Sequence, residues 1–225
     1  MSGPLLLVGG AEWREGCTFD AEALEAAGNP EVLVLPTAAA YEYPERAVEW
    51  AQRWFAGLGG KARGLDVLRR PDAEREVLAA EVRAARFVYL SGGSPMHLRS
   101  VLKDSAVWQA LVAAWQDGAT VAGSSAGAMV LTDPMVDPRG GAFTLGLGLC
   151  GGFTVVPHFD SWSEDKARRT LELAPAGLPV VGIDERTALI RDPDGSWRAG
   201  GAGRVEVYVD GREADLSRLP RSSPS

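Results

Sequence analysis

Cysteine and histidine are both scarce in this chain: each occurs twice in 225 residues. Cys17 and Cys150 stand far apart and form neither a disulfide framework nor a metal-ligand spacing. That pattern fits a reducing, cytoplasmic setting. With only His97 and His158 present, any imidazole chemistry must come from one of the two. The apolar run near the start, Leu5 to Val8, is too short for a signal peptide or a membrane span, and no basic n-region accompanies it. Clustered Lys and Arg are missing as well. A net charge of −7 argues against nucleic acid or an anionic membrane as the main partner. No G-x-G-x-x-G follows a strand and the P-loop lysine is absent, which speaks against a nucleotide binder. No internal repeat or low-complexity block stands out.

What is present reads as an ordinary globular protein, 46% hydrophobic and 24% charged. The length allows one sizeable core, so residues 1–218 are expected to form a single α/β domain, with 219–225 as a flexible tail. Short apolar runs alternate with longer amphipathic ones. "PLLLVGG", "EVLVLPTAA", "ARGLDVL", "RFVYLSGG" and "ATVAG" read as strands. "YPERAVEWAQRWFAGLGG", with Val48, Trp54, Phe55 and Leu58 at near-helical spacing, and "PDAEREVLAAEVRAA" read as helices. So does "PMHLRSVLKDSAVWQALVAAWQDG", broken near Asp104 and Ser105. This rhythm predicts three layers, a mostly parallel central sheet with helices on both faces. Asp194-Gly195 and Asp210-Gly211 flank alternating strands and predict a small antiparallel C-terminal extension. In parallel sheets sites gather at the C-terminal strand ends. Three such ends are rich in glycine: Gly9-Gly10, Gly92-Gly93 and the stretch Gly123 to Gly127.

That last stretch, "GSSAG", fits G-x-S-x-G with Ser125 at the centre. Between a strand and a helix, the pattern makes a tight elbow that projects the central side chain at a helix N-terminus. A serine needs a base. His158 follows "FTVV" and Pro157 at a predicted strand end, whereas His97 sits in the first turn of a helix. The base needs an orienting carboxylate. Asp160, Asp184 and Glu185 are candidates, and spacing alone does not choose between Glu185 and Asp160. An oxyanion hole needs two N–H donors. Ala126 supplies one, and Gly92 or Gly93 the other.

Together, "SGGSPMHL", "GSSAGAMV", "VVPHF" and "GIDERTAL" resemble the S51 family of serine peptidases, which includes α-aspartyl dipeptidase and cyanophycinase. With "LLLVGG" they cover most of the chain in family order. The order Ser125, His158, Glu185 differs from α/β-hydrolases, where the acid precedes the histidine. The resemblance implies a fold like that of class I glutamine amidotransferases, a Ser-His-Glu or Ser-His-Asp triad, no metal and no cofactor. Its "GIDE" match favours Glu185 as the acid. It implies a small-peptide substrate, with Arg168 and Arg169 as candidate partners of a substrate carboxylate and Asp160 also near the site. A monomer or homodimer is expected. The alternatives are a cyanophycinase-like exo-isopeptidase acting on β-aspartyl-arginine units and a non-catalytic amidotransferase-like binding domain.

Overall fold

The structure is a computed structural model that describes residues 1–138 and 141–221. Five strands form the centre: the apolar β1 (Leu5–Val8), β2 (Glu31–Leu35), β4 (Phe87–Leu90) and β5 (Thr120–Ser124), and the partly exposed edge strand β3 (Lys61–Gly64). They run parallel in the order β1-β5-β4-β2-β3. Successive side chains point to opposite faces of a strand, so each run feeds two cores. Leu5, Leu7, Leu33, Leu35, Val88 and Leu90 fill one. Leu6, Val8, Val32, Val34, Phe87 and Tyr89 fill the other. Burial on both faces is why β1, β2, β4 and β5 read as near-continuous apolar runs.

Helices α1 (Phe19–Ala27) and α2 (Pro44–Gly57) cover the second core, with Phe19, Ala51 and Phe55 buried. Val48, Trp54 and Leu58 pack beside them, as their spacing predicts. The first core lies under α3 (Glu76–Ala84), α4 (Pro95–Leu102), α5 (Ala106–Gln116) and α6 (Ala126–Leu131). The break expected near Asp104 is real. Asp104 takes φ 56, and the Ser105 hydroxyl caps α5 by accepting the Trp108 N–H.

Two C-terminal strands extend the central sheet. β8 (Thr187–Arg191) pairs antiparallel with β1, and β9 (Trp197–Gly201) with β8, so seven strands are joined among the described residues. Four others make a second sheet: β6 (Thr154–Pro157), β7 (Val180–Ile183), β10 (Val205–Val209) and β11 (Arg212–Ala214). β6 and β7 are parallel, and the rest antiparallel. The sequence reads "FTVV" and "LPVVGI" as strands, with His158 and Glu185 at their ends. The structure puts both in this second sheet, whose Val155, Val181 and Ile183 join the first core. The expected tail is tied down at its start. Leu219 is buried, and the Pro220 and Arg221 carbonyls accept from Trp197 Nε1 and Arg191. Among the described residues no helix is long and apolar enough to cross a membrane.

Candidate functional site

The site lies where the two sheets meet at their C-terminal edges. Ser125 follows β5 directly and precedes α6, with φ 49 and ψ −108. That backbone is strained for a residue with a Cβ, and two bonds fix it. The Ser125 N–H donates to the Val8 carbonyl at 2.9 Å, and its carbonyl accepts the Met129 N–H at 3.0 Å. The glycines on either side answer to packing: a Cβ on Gly127 would lie 2.4 Å from the Leu90 carbonyl oxygen, and one on Gly123 would lie 2.6 Å from the backbone of Gly127. The stretch is bare because α6 crosses the strand ends at contact distance.

His158 follows β6 in a left-handed conformation, φ 54, and donates its N–H to the Gly9 carbonyl at 2.7 Å. Its Nε2 lies 2.9 Å from Ser125 Oγ. Its Nδ1 lies 2.8 Å from Glu185 Oε1. A carboxylate oxygen on Nδ1 selects the tautomer with the proton there, which leaves Nε2 to accept from the serine hydroxyl. The imidazole and the carboxylate are each about one-third exposed, 34% and 38%, so a solvent-borne substrate can reach them. The Gly10 carbonyl accepts the Arg186 N–H at 2.9 Å, and the Gly9-Gly10 turn thereby holds both the histidine and the glutamate segments.

The other acid candidates have different partners. Asp160 Oδ1 accepts the Glu185 N–H at 3.1 Å, so it fixes the glutamate's backbone and does not face the imidazole. Asp184 exchanges bonds with the Arg204 backbone. His97 is engaged elsewhere, its Nε2 donating to the Leu68 carbonyl at 2.9 Å. The cysteines are not rival nucleophiles: burial pushes the Cys17 thiol up to about 11 and the Cys150 thiol up to about 12.

A cavity of about 150 Å³ opens at Ser125. Gly93, Ala126, Met129, His158, Trp162 and Lys166 are in its lining. Of the expected donors, Gly92 is displaced. Its N–H donates to Glu12 Oε1 at 3.1 Å and Gly92 does not line the cavity, because the turn rotates that amide toward the β1 loop. Neither Arg168 nor Arg169 reaches the cavity. Arg168 lies on the outer face of α7 (Glu164–Leu173), paired with Asp165 and Glu172, and Arg169 is exposed. The cation that does reach it is Lys166, which the sequence reading passed over. Its Nζ stands 3.7 Å from the Trp162 ring centroid, and no carboxylate pairs with it among the described residues. The i, i+4 spacing of Trp162 and Lys166 was the available signal. Glu12 was also missed; it bonds both Gly92 and Ser124.

Comparison with known proteins gives a consistent answer. The model of peptidase family S51 matches residues 5–196. A cyanophycinase of Synechococcus elongatus is 26% identical over 231 residues, spanning 96% of this chain and 70% of its own length. One from Trichormus variabilis is 30% identical over 179 residues, 75% of this chain and 60% of its own. The crystal structure of a peptidase from an acI-B1 Actinobacterium superposes with a TM-score of 0.85 at 32% identity, covering 95% of this chain and 93% of that one.

Proposed function

The chain belongs to peptidase family S51, and from that premise we propose that it hydrolyses short peptides through an acyl-enzyme on Ser125. It is a peptidase of the serine type. The observation that carries the mechanism is the hydrogen-bonded series Ser125 Oγ, His158 and Glu185, at 2.9 and 2.8 Å. Ser125 Oγ attacks the peptide carbonyl carbon while His158 Nε2 takes the hydroxyl proton. Glu185 holds the imidazole in the tautomer that can do so and stabilises the imidazolium that results. The carbonyl oxygen becomes an anion and receives the N–H groups of Gly93 and Ala126. When the tetrahedral intermediate collapses, the imidazolium passes its proton to the leaving amine. A water, deprotonated by the same nitrogen, then attacks the ester carbonyl and frees Ser125.

The size and lining of the cavity support a short, aspartyl-containing substrate. About 150 Å³ holds roughly one side chain, which favours di- and tripeptides. Lys166, free of an ion pair among the described residues, offers its ammonium to a substrate carboxylate, so an aspartyl residue on the acyl side is the preferred occupant. A second reading, a β-aspartyl-arginine isopeptide, is favoured by the likeness to cyanophycinases. Both place an aspartyl unit next to Ser125.

A panel of α-aspartyl dipeptides, β-Asp-Arg and neutral dipeptides, read by mass spectrometry, separates them. The expected result is cleavage of aspartyl substrates, with kcat lowered ~10³-fold or more by Ser125→Ala while the fold is kept. Lys166→Met is expected to lower kcat/KM about tenfold for aspartyl substrates only. Full activity in the Ser125→Ala protein would remove the mechanism. Equal loss on neutral peptides would remove Lys166 as the reader of the carboxylate.

A further inference from the structure

Three turns meet at the C-terminal edge of the central sheet, after β1, β4 and β5. Glu12, two residues past Gly10, reaches from the first to both of the others. Its Oε1 accepts the Gly92 N–H at 3.1 Å, and its Oε2 accepts the Ser124 hydroxyl at 2.8 Å. Ser124 is fully buried and immediately precedes the nucleophile. A Cβ placed on Gly92 would lie 3.3 Å from Glu12 Oε1 and 3.5 Å from Ser125 Cβ. Carboxylate, glycine turn and nucleophile are therefore packed against one another.

The far side of the same turn is also held. The Ser94 N–H donates to the Ala38 carbonyl at 2.8 Å. Gly93, between the two anchors, has φ +137, and a Cβ there would lie 2.3 Å from that carbonyl oxygen. The amides on both sides of Gly93 are thus taken. The Gly93 N–H takes no hydrogen bond among the described residues, and Gly93 lines the cavity with Ser125.

We propose that Glu12 is a positioning residue for the oxyanion site. Its carboxylate clamps the Gly92-Gly93 turn to the Ser124-Ser125 elbow, so that the Gly93 and Ala126 N–H groups converge on one oxygen. This rests on the acyl-enzyme reading above. The two donors come from the ends of different strands, and each must lie about 2.7–3.1 Å from the oxyanion to be effective. A displacement of about 1 Å costs roughly 10²-fold in rate. The hydrogen bonds matter and the charge does not: a carboxylate near a developing oxyanion opposes it, so a neutral amide should serve as well. In Glu12→Gln the amide oxygen accepts the Gly92 N–H and the amide nitrogen donates to Ser124 Oγ.

The experiment measures the second-order rate of fluorophosphonate labelling on the full chain, with the site located by mass spectrometry and thermal melting recorded alongside. Glu12→Ala is expected to label ~10- to 100-fold more slowly than the parent. Glu12→Gln should stay within about threefold of the parent, and Ser125→Ala should not label. If Glu12→Ala fails to fold because the buried Ser124 hydroxyl loses its acceptor, Glu12→Ala/Ser124→Ala removes that hydroxyl and takes its place. Parent-like labelling in either alanine protein overturns the inference, even with a lowered melting point, since that is the mark of a merely structural tie. A Glu12→Gln rate as slow as that of Glu12→Ala also overturns it. Failure of the parent to label at Ser125 removes the acyl-enzyme reading, and this inference falls with it.

Discussion

Gly10 offers the most direct test of how the imidazole is held. A methyl group at this position would place its carbon 2.1 Å from His158 Cε1 and 2.6 Å from both ring nitrogens. Non-bonded carbons approach to about 3.5 Å before repulsion dominates, so the ring must retreat by more than about 1 Å. It has no free direction. Nε2 is held by Ser125 Oγ at 2.9 Å, Nδ1 by Glu185 at 2.8 Å, and the backbone N–H by Gly9. At least one of the two ring hydrogen bonds must break. In Gly10→Ala, kcat and the rate of fluorophosphonate labelling are therefore expected to fall about 100-fold, equivalent to about 2.7 kcal/mol of lost transition-state stabilisation. The φ of +116 adds backbone strain of about 1–3 kcal/mol, so stability should fall too. Gly28→Ala separates the two effects. Gly28 has φ +62 with nothing within 4 Å of its added Cβ. That variant should lose about 1 kcal/mol of stability and no activity. A folded Gly10→Ala protein that labels at the parent rate would refute the idea that the glycine exists to admit the ring.

Much of this arrangement can be read from the residues themselves. The G-x-S-x-G pattern between a strand and a helix locates Ser125, and the scarcity of histidine leaves His158 as its partner. Periodicity recovers four of the central strands because each is buried on both faces and so reads as an apolar run; the edge strand Lys61–Gly64, half-exposed and carrying Lys61 and Arg63, has no such signature. Nor does periodicity say which sheet a strand joins. Thr154–Pro157 and Val180–Ile183 are as apolar as the central strands, yet they pair with each other, and Val180–Ile183 pairs on its other side with Val205–Val209. Only the tertiary packing of Val155 and Ile183 decides that. The choice among Glu185, Asp160 and Asp184 is opaque for a related reason. All three follow strand ends, and what distinguishes them is the direction of a single side chain at a turn where Arg186 takes φ 56. The basic residues on α7 mislead because Arg168 has local acidic partners at i−3 and i+4, whereas Lys166, one turn from Trp162, is steered inward by the aromatic ring. Glu12 carries no periodic signature. Its partners are 80 and 112 residues away, and only the shared edge of the sheet brings them together.

Two further outcomes follow from the groups behind the site. Glu185→Gln is expected to lower kcat at least ~10²-fold, since an amide no longer stabilises the imidazolium. Asp160→Asn should cost less than about tenfold, because Asp160 acts by accepting the Glu185 N–H, which an amide oxygen also accepts; steady-state kinetics on an aspartyl dipeptide reads both, and the reverse order would move the acid to Asp160. The last concerns stability. Asp20 is buried in the first turn of α1 with Trp54 Nε1 donating to its Oδ2 at 2.9 Å, and burial pushes its carboxyl up to about 8 from an ordinary value of 3.8. Below the ordinary value the carboxyl is protonated in both folded and unfolded chains, and its contribution to stability is complete. As the pH rises, the unfolded chain releases the proton while the folded one keeps it. Stability is therefore lost progressively until the folded group itself ionises near pH 8, by on the order of a few kcal/mol. Asp20→Asn keeps an acceptor for Trp54 and has no proton to lose. The melting temperature of the parent should fall relative to Asp20→Asn between pH 5 and about 8, whatever the constant offset between them. Melting curves that stay parallel across that range would mean that Asp20 is already ionised in the folded chain, and that the burial argument for it is wrong.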